Sequence, residues 1–256
     1  MRLRALSHIG YPLAGVVLII VAWALFCWLA NVPTVVLPTP DKVYRAFMAR
    51  GDLLLSEGLV TLKETLYGFL LALVIGLPLA VAVANSRPLN LMFYPLLVGL
   101  QSVPKVALAP LTLVWLGTGI ESKLAIVWLV AFFPIIVDTA AGLRATPKEL
   151  IELAESLRAS RTQIFLKVQF PAALPFVITG AKVAITLAVI GAVIGEFVGS
   201  SEGLGFLLLT ATSQLDTPLA FAALFALSFL GVLVYLLVEL VERAIAPWLP
   251  PAAEKH

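Results

Sequence analysis

The sequence predicts an all-α protein that crosses a membrane with about six transmembrane helices. Three observations carry this reading. Of 256 residues, 61% are apolar and 12% charged, whereas a soluble domain is about half apolar and about a quarter charged. Mean hydropathy is +1.04. The apolar residues collect in six stretches, each near the roughly 20 residues that a helix needs to cross the bilayer core. This composition excludes a soluble enzyme and a disordered chain. A net charge of +2 gives no electrostatic footprint for nucleic acid. Cys27 is the one cysteine, so neither an internal disulfide nor a cysteine metal cluster is available. The two histidines, His8 and His256, lie near the ends.

The first span is Tyr11 to Ala30, within an uncharged run from Ala5 to Pro40. It is longer than the apolar part of a signal peptide, and no clear cleavage site follows, so a retained span is expected. Thr65 to Ser86 is the second. Leu89 to Leu116 is the third, interrupted by Pro95, Pro104, Lys105 and Pro110. Leu124 to Leu143, the fourth, carries Pro134 and Asp138. Pro175 to Val198, the fifth, carries Lys182 and Glu196. Thr217 to Val238 is the sixth.

Sidedness follows from lysine and arginine, which collect on the cytoplasmic side. With the N-terminus inside, the inner segments hold Arg2, Arg4, Arg87, Arg144, Lys148, Arg158, Arg161, Lys167, Arg243 and Lys255. The outer segments hold Lys42, Arg45, Arg50, Lys63 and Lys123. Ten against five predicts both termini cytoplasmic. Two outer segments are expected, about 31–58 and 199–216. The first contains the amphipathic run Asp41 to Glu57, read as an interfacial helix or a solvated linker. No repeat or linker divides the chain, so residues 1–256 are read as one membrane domain.

The inner loop, about 144–170, is the informative part. Thr146 suits an N-cap, Pro147 the first helical position, and Glu149 can close a capping box. Leu150, Leu153, Ala154 and Leu157 follow as an apolar stripe at helical spacing. Ser160 and Gln163 offer a second capping box. The loop therefore reads as two short helices with a turn near Arg158-Ala159, and Pro171 and Pro175 mark the return to the membrane.

This loop resembles the EAA loop of ABC importer permeases. That pattern is Glu-Ala-Ala, three residues, Gly, nine residues, Ile-x-Leu-Pro. Here it reads Glu152-Leu153-Ala154, three residues, Arg158, nine residues, Val168-Gln169-Phe170-Pro171. LPTP (37–40), QSVPKVALAPLTLVWLGTG (101–119), AFFPIIVDT (131–139) and GEFVGSSEGLGFLL (195–208) are similar to the nitrate, sulfonate and taurine branch of that family. The resemblance covers roughly residues 35–248. Arg158 stands at the family's glycine position, where a left-handed turn favours glycine. Arginine there costs roughly 1–2 kcal/mol.

The resemblance implies the transmembrane domain of a type I ABC importer. No G-x-x-x-x-G-K-[ST] motif is present, so ATP and Mg would bind a partner ATPase and no cofactor would bind this chain. The chain itself would catalyse no bond chemistry. Expected partners are a cytoplasmic ABC ATPase dimer, an extracytoplasmic solute-binding protein, a second permease copy and the lipid bilayer of the cell's inner membrane. The inner loop would be the coupling helix. Leu153 and Leu157 would be buried against the ATPase, Glu152 and Arg158 would pair with its charges, and Ala154 holds a motif position. By branch resemblance the solute is a small anion such as a sulfonate, taurine, nitrate or bicarbonate; related branches carry pyrimidine precursors, riboflavin-like compounds or aromatic carboxylates.

Ionisable groups within spans face a protein interior or a water-filled path. Gln101, Ser102, Lys105, Lys182 and Glu196 are therefore candidate pathway residues. Lys105 suits an anion, because Pro104 and Pro110 free backbone carbonyls beside it. Lys182 and Glu196 are about 21 Å apart along one helix, too far to pair; structural pairing, for example with Asp138, is the alternative role for Lys105 and Lys182. Trp115, Phe132 and Phe133 read as packing residues. Gly180, Ala184, Ala188 and Gly191 form a stripe that suits close helix packing, either on a dimer axis or within one subunit. An ion-gradient-driven secondary transporter is the alternative function, but it would not explain the loop. An intramembrane enzyme lacks a span histidine and a second aspartate for Asp138.

Overall fold

The computed structural model describes residues 2–246. Its elements run α1 (Arg2–Leu29), α2 (Pro40–Ala49), α3 (Gly51–Asn85), α4 (Arg87–Gln101), a 3-10 turn (Lys105–Leu108), α5 (Ala109–Leu116), α6 (Ile120–Arg144), α7 (Lys148–Ser156), α8 (Arg161–Ile164), a π-helical turn (Phe165–Gln169), α9 (Phe170–Gly199), α10 (Leu204–Ser213) and α11 (Thr217–Ile245). The described residues are all-helical or connecting, as the composition requires.

Four helices are long and apolar enough to cross a membrane: α3, α6, the run Arg161–Gly199, and α11. These correspond to the second, fourth, fifth and sixth expected spans. The first expected span lies in α1, whose stretch Ala14–Leu29 is apolar. The third is not one straight helix. α4 and the run Lys105–Leu116 meet at 90°, because Pro104 cannot donate a backbone hydrogen bond across the break.

Two further boundaries differ from expectation. The amphipathic run Asp41 to Glu57 is split at Arg50, so that residues 51–58 belong to the long helix α3. At the other end, Pro171 and Pro175 do not interrupt the chain; α8 continues into α9. The π-helical turn at Phe165–Gln169 shifts the hydrogen-bond register just before Pro171, which removes the demand for a donor there. Pro171 then falls in the first turn of α9, where its missing N–H costs nothing.

α6 is the centre of the bundle, packed between α3 and α9. Small residues make this possible. A Cβ on Gly191 would lie 2.9 Å from the Cα of Val127, so only glycine lets the two backbones approach this closely. Gly180, Ala184, Ala188 and Gly191 are all buried within the chain. The stripe therefore packs α9 against α6 and is not free for a dimer axis. Phe132 and Phe133 are buried as packing residues, whereas Trp115 is exposed.

Candidate functional site: an exposed loop and a sealed polar cluster

The loop between α6 and α9 forms two short helices, as the spacing predicts. Ser160 and Gln163 make the expected capping box: the Gln163 N–H donates to Ser160 Oγ at 3.3 Å, and the Ser160 N–H donates to Gln163 Oε1 at 2.8 Å. The first expected box does not form. α7 begins one residue later than anticipated, with Pro147 at the N-cap and no side-chain cap. Thr146 is thereby outside the helix, and its buried hydroxyl has no hydrogen-bond partner among the described residues.

Arg158 has φ +57°. The turn is nonetheless complete: the Arg158 N–H donates to the Glu155 carbonyl at 2.9 Å, and the Ala159 N–H to the Ala154 carbonyl at 3.0 Å. These are the two bonds of a glycine-type helix terminus. Arginine thus adopts the glycine conformation, and the strain is accepted rather than avoided.

The apolar face of α7 is largely uncovered among the described residues. Leu153 is 57% exposed and Leu157 75% exposed. Leu150, Leu153, Ala154 and Leu157 line a groove of about 370 Å³ closed on its far side by Lys167, Val168 and Ala172. Glu152 and Arg158 are exposed.

Arg144, at the end of α6, ties α4 to this end of the bundle. Its guanidinium lies 4.3 Å from the ring centre of Tyr94, and Nη1 donates to Asn90 Oδ1 at 3.5 Å.

The candidate pathway residues separate into two groups. Gln101 and Ser102 are exposed at the break after α4, and Lys105 is half-buried just beyond it. Lys105 Nζ donates to the Gln101 carbonyl at 2.9 Å and lies 5.3 Å from the ring centre of Phe133. No carboxylate pairs with it among the described residues. Lys182 instead pairs with Glu242 on α11, and its ammonium lies 5.6 Å from the ring centre of Tyr235; its partner is not Asp138.

Glu196 faces no open space. It is 1% exposed, at the far end of the bundle from the loop. Its Oε1 accepts from the Thr61 hydroxyl at 2.6 Å and its Oε2 from the Gly205 N–H at 2.5 Å. Thr61 Oγ1 in turn accepts from the Leu204 N–H at 2.9 Å. Glu57 Oε2 accepts from the Gly203 N–H at 2.5 Å. Beside them Lys123 Nζ lies 3.0 Å from Glu64 Oε1, both buried; Glu64 Oε2 has no partner among the described residues. Gly203, at φ +103°, supplies the turn. A side chain there would be strained and would strike the Glu196 carboxyl.

Sequence reasoning missed Glu57, Thr61, Glu64 and Lys123. Lys123 was assigned to an outer segment, and Glu64 lies one residue before an expected span. A signal was present: Glu57, Thr61 and Glu64 fall at helical spacing on one face. Among the described residues no group of His, Cys, Asp or Glu could hold a metal ion.

The likeness to known proteins extends well beyond the loop. Residues 72–247 match the family described as binding-protein-dependent transport system inner membrane component. The chain belongs to this family. The permease is 38% identical over 253 residues to the riboflavin transport system permease protein RibX of Chloroflexus aurantiacus, covering 96% of this chain and 94% of that one. It is 34% identical over 238 residues to the formylaminopyrimidine transport permease protein ThiX of Halalkalibacterium halodurans, covering 93% and 95%. It is 26% identical over 237 residues to the taurine transport system permease protein TauC of Escherichia coli, covering 90% and 86%. Its fold matches a chain of the inward-facing MetNI methionine ABC transporter with a TM-score of 0.67 and 25% identity, over 77% of this chain and 98% of that chain. The permease is thus an inner-membrane subunit of an ATP-driven importer with the type I transmembrane fold, and the secondary-transporter alternative is not favoured.

Proposed function

We propose that the loop of α7 and α8 is where ATPase movement enters the permease. The observation that carries this reading is the bare apolar face of α7, with Leu153 and Leu157 exposed beside a rigid two-helix turn. Residues left apolar and uncovered on a rigid element mark a protein contact. Ala154 lets the partner approach, and Glu152 and Arg158 offer exposed charges. A helix fixed to α6 on one side and continuous with α9 on the other converts closure of two ATPases into tilting of both helices.

In this reading two permease copies pair, each with one cytoplasmic ATPase that binds ATP and Mg. The permease performs no bond chemistry itself, and residues 1–256 form one domain with both termini cytoplasmic. An external binding protein delivers the solute. Glu152→Lys should abolish transport while the protein stays in the membrane. Normal transport by this variant would overturn the assignment.

The solute path runs by the break between α4 and α5, where Gln101, Ser102 and Lys105 are accessible. Lys105, an ammonium with no carboxylate partner among the described residues, favours a small anion. A second reading, a small nitrogen heterocycle of the vitamin-precursor type, is supported by the higher identity to the riboflavin and formylaminopyrimidine relatives than to the taurine one. Stimulation of the assembled complex's ATPase by its binding protein, loaded with a sulfonate or with a pyrimidine, separates the two. Loss of anion transport in Lys105→Met, with ATPase activity retained, would support the first.

A further inference from the structure

We propose that Thr61 and Glu196 are positioning residues that fasten α10 to α3 and α9, so that these three helices travel as one body through the transport cycle and the bending falls on α4 and α5. The first backbone N–H groups of a helix have no intrahelical acceptors. At the start of α10 and in the turn before it, three such donors are taken by other helices. Gly203 donates to Glu57 and Leu204 to Thr61, both on α3, and Gly205 donates to Glu196 on α9. Thr61 joins the two sides, since its hydroxyl also donates to Glu196.

Thr61 and Glu196 are sealed from solvent. Moving α10 away from α3 would therefore leave several buried polar groups unpaired, at a cost that a gating step cannot easily meet. The buried Glu64–Lys123 pair reinforces the junction from α6.

The contrast lies at residues 101–104. Gln101, Ser102, Val103 and Pro104 are all exposed, and the chain there turns by 90°. A change of angle at this break uncovers no buried hydrogen bond.

The test is hydrogen exchange of the backbone amides at 203–205 in the full permease–ATPase complex in phospholipid vesicles, nucleotide-free and vanadate-trapped. The wild-type amides should be equally protected in both states. Thr61→Val removes the hydroxyl without changing size or charge. It should raise exchange by about tenfold, the worth of one buried hydrogen bond, and make it differ between the two nucleotide states. Thr61→Ser, which keeps the hydroxyl, should restore wild-type behaviour. Should Thr61→Val fail to assemble, Glu57→Ala frees the Gly203 N–H alone and is read in the same way. Loss of protection in the wild type on trapping would overturn the proposal, as would unchanged exchange in the variant. An equal rise in both states would overturn it too, because it would mean packing without a role in the cycle.

Discussion

The two ends of the bundle treat their helix termini in opposite ways. At the α10 end, the backbone N–H groups of Gly203, Leu204 and Gly205 each meet an acceptor on another helix, and Thr61 and Glu196 are buried. At the α7 end, the helix has no side-chain cap, Thr146 Oγ1 is unpaired among the described residues, and leucines face outward. The first draws its partners from within one chain. The second is shaped for something else to finish it. A permease driven from one side needs this asymmetry: a firm far end, against which force applied at the near end can produce tilt.

The largest expected effect tests the firm end. Glu64→Leu leaves Lys123 buried without its carboxylate and should cost about 3–5 kcal/mol, read as a fall in the thermal unfolding midpoint in detergent. Replacing Lys123 by Met as well should recover most of the loss. A single variant as stable as wild type would show that this end is not held by the pair.

The next effect belongs to the open end. Leu153→Asp should leave the free permease's unfolding midpoint unchanged, because the side chain is already exposed. It should weaken ATPase binding by about 1.5–3 kcal/mol, the worth of burying a leucine, measurable by titrating labelled ATPase onto the permease. A destabilised permease with unaltered binding would reverse the comparison.

A smaller effect probes the strain in the same loop. Arg158→Gly should stabilise the turn by about 1 kcal/mol, seen as slower exchange of the Ala159 amide. If exchange quickens, the arginine side chain contributes more than its backbone costs.

The smallest lies on α2. The Thr39 hydroxyl donates to Asp41 Oδ1 at 2.5 Å, and this bond, aided by Arg45, holds the Asp41 carboxyl below its ordinary range. A carboxylate depressed in the folded state adds stability above its unfolded value, and that contribution disappears as pH falls through the folded value. Thr39→Ala should move the Asp41 titration upward, as followed by carboxyl carbon NMR. No movement would mean that the hydroxyl bond does not persist.

Much of the loop was legible because its information is local. Ser160 and Gln163 cap a helix across three residues, and the apolar stripe of α7 follows helical period. The missed box at Thr146 shows the limit of such reasoning, since two adjacent residues competed for one cap and Pro147 took it. Four of the spans were legible from hydropathy alone, but the bend after Gln101 was not. Pro95 and Pro134 lie inside helices, whereas Pro104 lies between two, and proline by itself does not say which.

The polar cluster was illegible for a different reason. Glu57, Thr61, Glu64, Lys123 and Glu196 come from three helices, and Glu196 was read as a pathway group because a charge within a span suggested a path. By itself the sequence determined that the chain is helical and lies in a membrane. It also determined that its loop carries an apolar stripe and that its family is one of importer permeases. The helices, the membrane and the stripe rest on hydropathy, period and spacing along the chain; the family rests on the resemblance of the loop and its companion motifs. Only the tertiary structure decided that Lys182 pairs with Glu242, that the small-residue stripe of α9 is spent on α6, and that Glu196 anchors α10. Partners separated by 60 to 135 residues meet through helix packing, and that packing is set by shape and close approach, which no local pattern encodes.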